Sequence, residues 1–344
     1  MKNKPNFLDA LILAFEREQI VLSNKSESTL FLNATPLPNA WGELIESFAC
    51  EQAFRPTHNQ LSDQNYSVQA MLSDDAIVQE YESALVVAGR VRKINELNLA
   101  RAYMALKPGG TLVCAGEKST GIQPLRKWVG ERCEIIDSYS KYHGLVFTFK
   151  KSEAFDPAVW PTHNPEIEVD GYALKKGMFS ADGPDKGSKL LIEHFDNRLR
   201  GKVADFGAGW GYLTNEALKV APRIESVDLY EADYLSLEYA KQNISTQKPT
   251  TYNWVDLTQE FKKKPYDWVL MNPPFHGGLS GGRASEPNIG KRFIEVASST
   301  LISGGRLLMV ANRTLPYEEM LSHAFKRYSL LADKNGFKVY EAVK

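Results

Sequence analysis

Cysteine is scarce. Cys50, Cys114 and Cys133 are the only three in 344 residues, and they form neither a CxxC pair nor a closely spaced framework. That excludes a disulfide scaffold and fits reduced thiols in a cytoplasmic protein. Charge of one sign is lacking too: the net charge is −1, so the chain carries no global polybasic signature. Any contact with a nucleic acid has to come from a local patch. No apolar run approaches the ~20 residues that span a bilayer. The stretch from Phe7 to Phe15 runs straight into Glu16-Arg17-Glu18 and does not read as a secretory signal, so no membrane partner is expected. The six histidines, His58, His143, His163, His194, His276 and His323, lie scattered without ligand spacing, and no metal site is expected.

What is present is enough for two packed domains, with 43% hydrophobic residues. Phe7, Leu8, Leu11, Ile12 and Phe15 fall at helical spacing, and strands are expected at Ile20 to Leu22 and Thr29 to Leu32. Ala84 to Ala88 is an apolar run, Ile94 to Leu106 has helical periodicity, Pro108-Gly109-Gly110 reads as a turn and Thr111 to Ala115 as a strand. The same order recurs as Trp268 to Met271, Phe293 to Leu301, Gly304-Gly305 and Arg306 to Ala311. Leu106-Lys107-Pro108-Gly109-Gly110-Thr111-Leu112 and Leu301-Ile302-Ser303-Gly304-Gly305-Arg306-Leu307 are one pattern written twice, and Gly144 to Phe147 matches Gly336 to Tyr340. Shared α/β grammar is the alternative, but the expectation is an α/β protein of two tandem Rossmann-like domains from an internal duplication. The proline-rich stretch around Pro157, Pro161 and Pro165 separates them, giving domains over 1–153 and 167–344 with a linker over 154–166.

The second half carries the chemistry. Val203, Ala204 and Phe206 form a short strand, and Gly207, Gly209 and Gly211 follow at alternate positions before a helix from Leu213. Such a loop lets backbone approach a nucleotide-like ligand, although a closely spaced glycine loop alone is also an ordinary tight turn. Glu231 ends the next strand at the spacing of a ribose-binding acid, with Asp228 as the competitor inside that strand. Asp256 ends a third strand, either as an adenine acceptor or as a plain turn residue. Upstream, Asp185 or Ser188 reads as a helix N-cap, and His194 as a packed core residue.

Asn272-Pro273-Pro274-Phe275 follows the strand Trp268 to Met271 directly. Two prolines end a ladder rigidly and leave carbonyls free. An exocyclic base amine is a poor nucleophile because its lone pair is delocalised. The Asn272 side-chain oxygen and the Pro273 carbonyl suit its two hydrogens, and Phe275 suits stacking on the ring. Acceptors there favour the positive charge that develops on nitrogen as a sulfonium methyl is attacked in line.

With Phe179-Ser180-Ala181-Asp182-Gly183, His276, Ala311-Asn312, Leu315-Pro316-Tyr317 and Phe337-Lys338-Val339-Tyr340, the half from Gly177 to Val343 resembles the class I S-adenosylmethionine-dependent methyltransferases. Within them it resembles the RsmC/RlmG-like ribosomal RNA guanine-N2 methyltransferases. The resemblance implies two methyltransferase-like domains, the N-terminal one degenerate and without a cofactor site. It implies S-adenosylmethionine as cofactor, with Asp205, Gly207, Gly209 and Gly211 lining its methionine part, Glu231 its ribose, Asp256 its adenine and Phe179 covering the pocket. Ala208 stands where the family commonly has Cys, and Glu231 where it commonly has Asp.

The expected activity is methylation of a guanine N2 in ribosomal RNA, small-subunit RNA favoured, by a monomer. Methylation of adenine N6 or protein glutamine, and a non-catalytic RNA-binding assembly factor, are the alternatives. A nicotinamide dehydrogenase needs GxGxxG and has no use for Asn-Pro-Pro-Phe. The first half reads as an RNA-holding and folding-support domain, the rival being a purely structural half that only covers apolar surface of the catalytic domain. Residues 101–150 carry eight Lys/Arg against four Asp/Glu, and Lys118, Arg126, Lys127, Arg132 and Lys141 are its candidate phosphate contacts.

Overall fold

The computed structural model describes residues 5–17, 22, 25, 28–72, 81–152, 159–161, 164–259, 262–274 and 287–344. Phe275, His276 and most of the strand expected at Ile20 to Leu22 lie outside the described residues. The chain forms two compact units, Met1–Pro165 and Glu166–Lys344. Among the described residues no helix is long and apolar enough to cross a membrane.

In the first unit, strands β1 (Thr29–Leu32), β2 (Phe48–Glu51), β3 (Ser67–Gln69), β4 (Tyr81–Val87), β5 (Leu106–Glu117), β6 (Asp137–Tyr139) and β7 (Gly144–Lys150) form one sheet in the order β3-β2-β1-β4-β5-β7-β6. Only β7 runs antiparallel to its neighbours. The central strands are apolar on both faces because both faces are covered. Leu30, Leu32, Ala84, Val86, Leu112 and Cys114 pack on one side. Phe31, Leu85, Val87, Val113, Ala115 and Val146 pack on the other. Trp160, in the stretch expected to be a linker, is buried in this unit, with its indole stacked on Tyr103 at 4.6 Å and edge-on to Trp128 at 5.4 Å.

The second unit opens with a hairpin, β8 (Glu166–Val169) and β9 (Tyr172–Lys175). Its sheet contains β10 (Gly201–Phe206), β11 (Ile224–Glu231), β12 (Thr250–Trp254), β13 (Tyr266–Met271), β14 (Leu301–Asn312), β15 (Arg327–Lys334) and β16 (Phe337–Val343) in the order β12-β11-β10-β13-β14-β16-β15. Counted within its own seven strands, each sheet therefore runs 3-2-1-4-5-7-6. The fold is two tandem Rossmann-like units, as the repeat implied.

The repeated Gly-Gly serves the same purpose in both copies. It is a bulge inside one twelve-residue strand, β5 or β14, and not a turn that precedes a shorter strand. The register slips between Tyr81 and Ser83 in the first copy and between Tyr266 and Trp268 in the second. Gly109 and Gly304 take left-handed φ values of 76° and 80°. A Cβ on Gly110 or Gly305 would lie 2.9 Å from the carbonyl oxygen of Lys107 or Ile302. Backbone bonds from Lys151 and Lys344 close each bulge against Gly109-Gly110 and Gly304-Gly305. Only glycine fits both conditions.

Gly305→Ala should lower stability by about 1–3 kcal/mol, because the atoms it meets are backbone and cannot swing away. Gly304→Ala, which meets nothing but must hold positive φ, should cost about 1 kcal/mol. Chemical denaturation of the two variants tests the order.

Candidate active site

The strand order of the second sheet changes direction between β10 and β13, so a crevice opens at their carboxyl ends, where open α/β sheets bind ligands. The glycine loop leaves β10 at this point. Gly207, Gly209 and Gly211 have φ of 73°, 55° and 91°. Their surroundings differ. A Cβ on Gly211 would lie 2.9 Å from Ile244, so this glycine lets the helix Tyr212–Val220 close on its neighbour. A Cβ on Gly209 would meet nothing within 4 Å and would project into open space.

Two carboxylates hold this loop. Asp205 is fully buried, and its Oδ2 accepts from the Thr214 backbone N–H at 3.1 Å and the Thr214 hydroxyl at 2.7 Å, fixing the start of the helix. Its Oδ1 has no partner, and burial pushes its pKa up to about 6 against the pull of those bonds. Glu231 accepts from the Gly209 backbone N–H at 2.7 Å through one oxygen, and from those of Ala232 and Asp233 at 2.7 and 2.8 Å through the other. Burial raises its pKa to about 7. Asp228, the competing acid, is engaged by Thr251, Tyr266 and Lys264 inside the strand, with its pKa held below the usual carboxylate range. Asp256 Oδ1 accepts from the Thr258 N–H and hydroxyl, a turn-closing role.

The segment after the hairpin lies against the loop. Trp210 Nε1 donates to the Phe179 carbonyl at 3.0 Å, while Phe179 as a residue stays 61% exposed. Asn243 ties the parts together, pairing with the Ala173 backbone through both its amide groups and donating to the Trp210 carbonyl. Nothing in the local sequence marks this residue.

Asn272 sits directly after β13, and the direction of its amide is fixed. Its Nδ2 donates to Asp185 Oδ2 at 3.0 Å and to Ser188 Oγ at 2.9 Å. A carboxylate can only accept, so the group facing Asp185 has to be the NH₂. Asn272 Oδ1 is consequently turned away from Asp185, buried and without a partner. An unpaired buried acceptor costs about 1–3 kcal/mol, which a ligand carrying an N–H donor would recover. Asp185 is also the N-cap of the helix Lys186–Ile192, accepting from the Gly187 and Ser188 N–H groups, so capping was only half of its part.

The first copy shows what the second has kept. By strand register Leu32 corresponds to Phe206, placing Asn33 where Gly207 stands, Gln52 where Glu231 stands and Val87 where Asn272 stands. Asn33 has the same left-handed φ, 50°, but its side chain donates to the Val87 carbonyl. Gln52 Oε1 accepts from the N–H two residues on, as Glu231 does, while its Nε2 donates to the Ala34 carbonyl in the loop. The amide keeps the bracing and drops the charge. Asn95 then bonds both backbone groups of Gly89, sealing the region that corresponds to the Pro273-Pro274 strand end.

Among the candidate phosphate contacts, Lys118, Lys127 and Lys141 are exposed and Arg126 is half-buried. Arg132 is already committed: it donates to the Val159 and Trp128 carbonyls and lies over the Trp128 ring at 4.1 Å.

The donor set fits the cofactor that the resemblance implies: an open cradle at Gly209, an unpaired carboxylate oxygen on Asp205 and two acids bracing the loop. Gly209→Ala adds a methyl that touches no protein atom, so the fold should survive with a strain of about 1–2 kcal/mol. S-adenosylmethionine affinity, measured by calorimetry, should fall at least about tenfold as the methyl takes ligand space.

The chain is similar to known proteins over most of its length. The Methyltransferase small domain family matches residues 172–341. Ribosomal RNA small subunit methyltransferase C of Shewanella loihica is 31% identical, over 77% of this chain and 76% of that protein. The protein of the same name from Shewanella sediminis is 29% identical over 94% of this chain and 96% of that one. Among solved structures, the T. thermophilus 16S rRNA N2 G1207 methyltransferase in complex with AdoMet and guanosine shares the fold, with TM-score 0.77, 21% identity and coverage of 98% of this chain and 91% of that one. With the duplicated fold and this identity across more than two thirds of its length, the chain belongs to the ribosomal RNA small subunit methyltransferase C family.

Proposed function

We propose that this protein transfers a methyl group from S-adenosylmethionine to the exocyclic N2 amine of a guanine in small-subunit ribosomal RNA, acting as a monomer in the cytoplasm. The observation that carries the reading is Asn272 Oδ1, a buried and unpaired acceptor at the strand end beside the glycine loop. When bound, the cofactor supplies an electrophilic methyl on a sulfonium sulfur; transfer breaks the S–C bond, returns its electron pair to sulfur, forms the C–N2 bond and leaves one N2 proton for water.

The chain's own residues then hold and orient. Asn272 Oδ1 accepts one N2 hydrogen and the Pro273 carbonyl the other, which directs the amine lone pair and favours positive charge on nitrogen as the bond forms. No general base is needed before transfer, because the proton becomes acidic only afterwards. Asp205, Gly207, Gly209 and Gly211 line the methionine part, Glu231 takes the ribose hydroxyls, Asp256 the adenine, and Phe179 covers the pocket. Pro274 and Phe275 complete the strand-end motif, with Phe275 stacking on the base.

The first unit, with its loop braced by Gln52 in place of an acid, serves in this reading to hold RNA, with Lys118, Lys127 and Lys141 as the exposed cations available to phosphates. A guanine taken out of paired or stacked RNA needs such support.

Mapping modified guanosines in ribosomal RNA from cells with and without the protein tests the activity: one small-subunit N2-methylguanosine should disappear, and an unchanged map would refute the reading. Asn272→Ala should lower kcat by about 100- to 1,000-fold while the affinity for S-adenosylmethionine changes little. Lys118→Glu combined with Lys127→Glu should weaken RNA binding and reduce the slope of log K against log salt by about 2, with cofactor affinity unchanged. A wild-type salt slope would show that these lysines are an ordinary solvated face.

A further inference from the structure

Asn272 performs its role only if its amide points one way. Asparagine is nearly symmetric in shape, and rotating its terminal group by half a turn would present NH₂ to the amine, replacing attraction by repulsion between donors. Something has to forbid that rotation. Asp185 Oδ2 and Ser188 Oγ, 3.0 and 2.9 Å from Asn272 Nδ2, are the groups in contact with it.

The two are not equivalent. A hydroxyl can donate or accept and would tolerate either amide orientation, whereas the ionised carboxylate tolerates only NH₂. Asp185 is in turn held by the Gly187 and Ser188 N–H groups at 2.9 and 3.1 Å, which support its negative charge. Gly187 makes this possible, because a Cβ there would lie 2.9 Å from Asp185 Oδ2 and 3.0 Å from the Phe337 ring. The carboxylate also polarises the Asn272 amide, concentrating electron density on Oδ1, where the developing positive charge has to be met.

We infer that Asp185 is a positioning residue for methyl transfer, which acts through Asn272 by locking its amide with Oδ1 toward the amine, and that Ser188 is its secondary partner. The inference rests on the proposed N-methylation only for its consequence in turnover. The lock itself is a property of the protein alone.

The test separates capping from locking. Asp185→Ser keeps a good helix N-cap but has too short a side chain to hold the Asn272 amide. In the otherwise native protein it should lower kcat on small-subunit RNA about 10- to 100-fold, with S-adenosylmethionine affinity within twofold. In an Asn272→Ala background it should produce no further loss, since its route is already cut. Equal losses in both backgrounds, or an unchanged kcat, would overturn the inference. A second measurement needs no turnover. The Asn272 side-chain NH₂ hydrogens, followed by NMR in selectively labelled protein, should exchange slowly in the native protein and fast in Asp185→Ser. Unaltered protection would refute the lock even if the protein proved to methylate something else, and lost protection without any RNA methylation by the native protein would count against the proposed function alone. Should Asp185→Ser fail to fold, Asp185→Asn takes its place in the same cycle: it is isosteric and still caps, but lets the Asn272 amide turn, so a smaller loss confined to the background with Asn272 intact is expected.

Discussion

Everything at the site follows from the break in strand order between β10 and β13. Two parallel strands that send their connections to opposite sides leave their carboxyl ends uncovered, and the backbone leaving β10 has to turn at once. Gly207, Gly209 and Gly211 make that turn with left-handed φ, and β13 ends beside it in a proline pair that cannot extend the ladder. The glycine loop and the Asn272 strand end thus come from adjacent strands and share one floor, whose residues Ala204, Phe206, Val269 and Met271 are buried in a single cluster.

Polar groups beside that floor each join a structural contact to a second contact or to an unpaired atom. Glu231 braces the Gly209 N–H and lies at the strand end where a ribose would be met. Asp205 pins the helix at Thr214 and keeps a second oxygen unpaired. Asp185 caps one helix and fixes the Asn272 amide. Structural and functional roles in such residues separate only when one is removed while the other is preserved. The first copy performs part of that experiment: Gln52 retains the brace to the loop without the charge, and Asn33 retains the left-handed turn but fills space with a side chain. The scaffold tolerates both changes, since bracing needs hydrogen bonds and not a carboxylate, and Asn is the non-glycine residue that most readily takes positive φ.

Much of this was written in local sequence. Alternation of apolar runs with helical periods gave the parallel α/β layout, the doubled Gly-Gly pattern gave the repeat, and glycine spacing with the Asn-Pro-Pro strand end marked where the backbone turns sharply and where a strand stops, because each depends on backbone constraints within a few residues. The Gly-Gly pairs read as turns in the sequence and are bulges within β5 and β14 in the structure. A bulge and a turn require the same residue types, and only the pairing of Tyr81 with Leu106 and Tyr266 with Leu301 distinguishes them.

What the tertiary structure alone decided lies in contacts between distant positions. Asp185 and Asn272 are 87 residues apart, and nothing local distinguishes a capping aspartate that also orients an amide from one that only caps. Arg132 counts as a free cation in the sequence, yet its guanidinium is held by the carbonyls of Trp128 and Val159, and Trp160 belongs to a core and not to a tether. The equivalence of Gln52 and Glu231 is likewise visible only through strand register. The sequence determined which backbone shapes were possible and which chemical groups were available; the packing of distant segments determined which way each group points and which partners it has already taken, because a side chain's hydrogen-bonding capacity is finite and the fold decides who reaches it first.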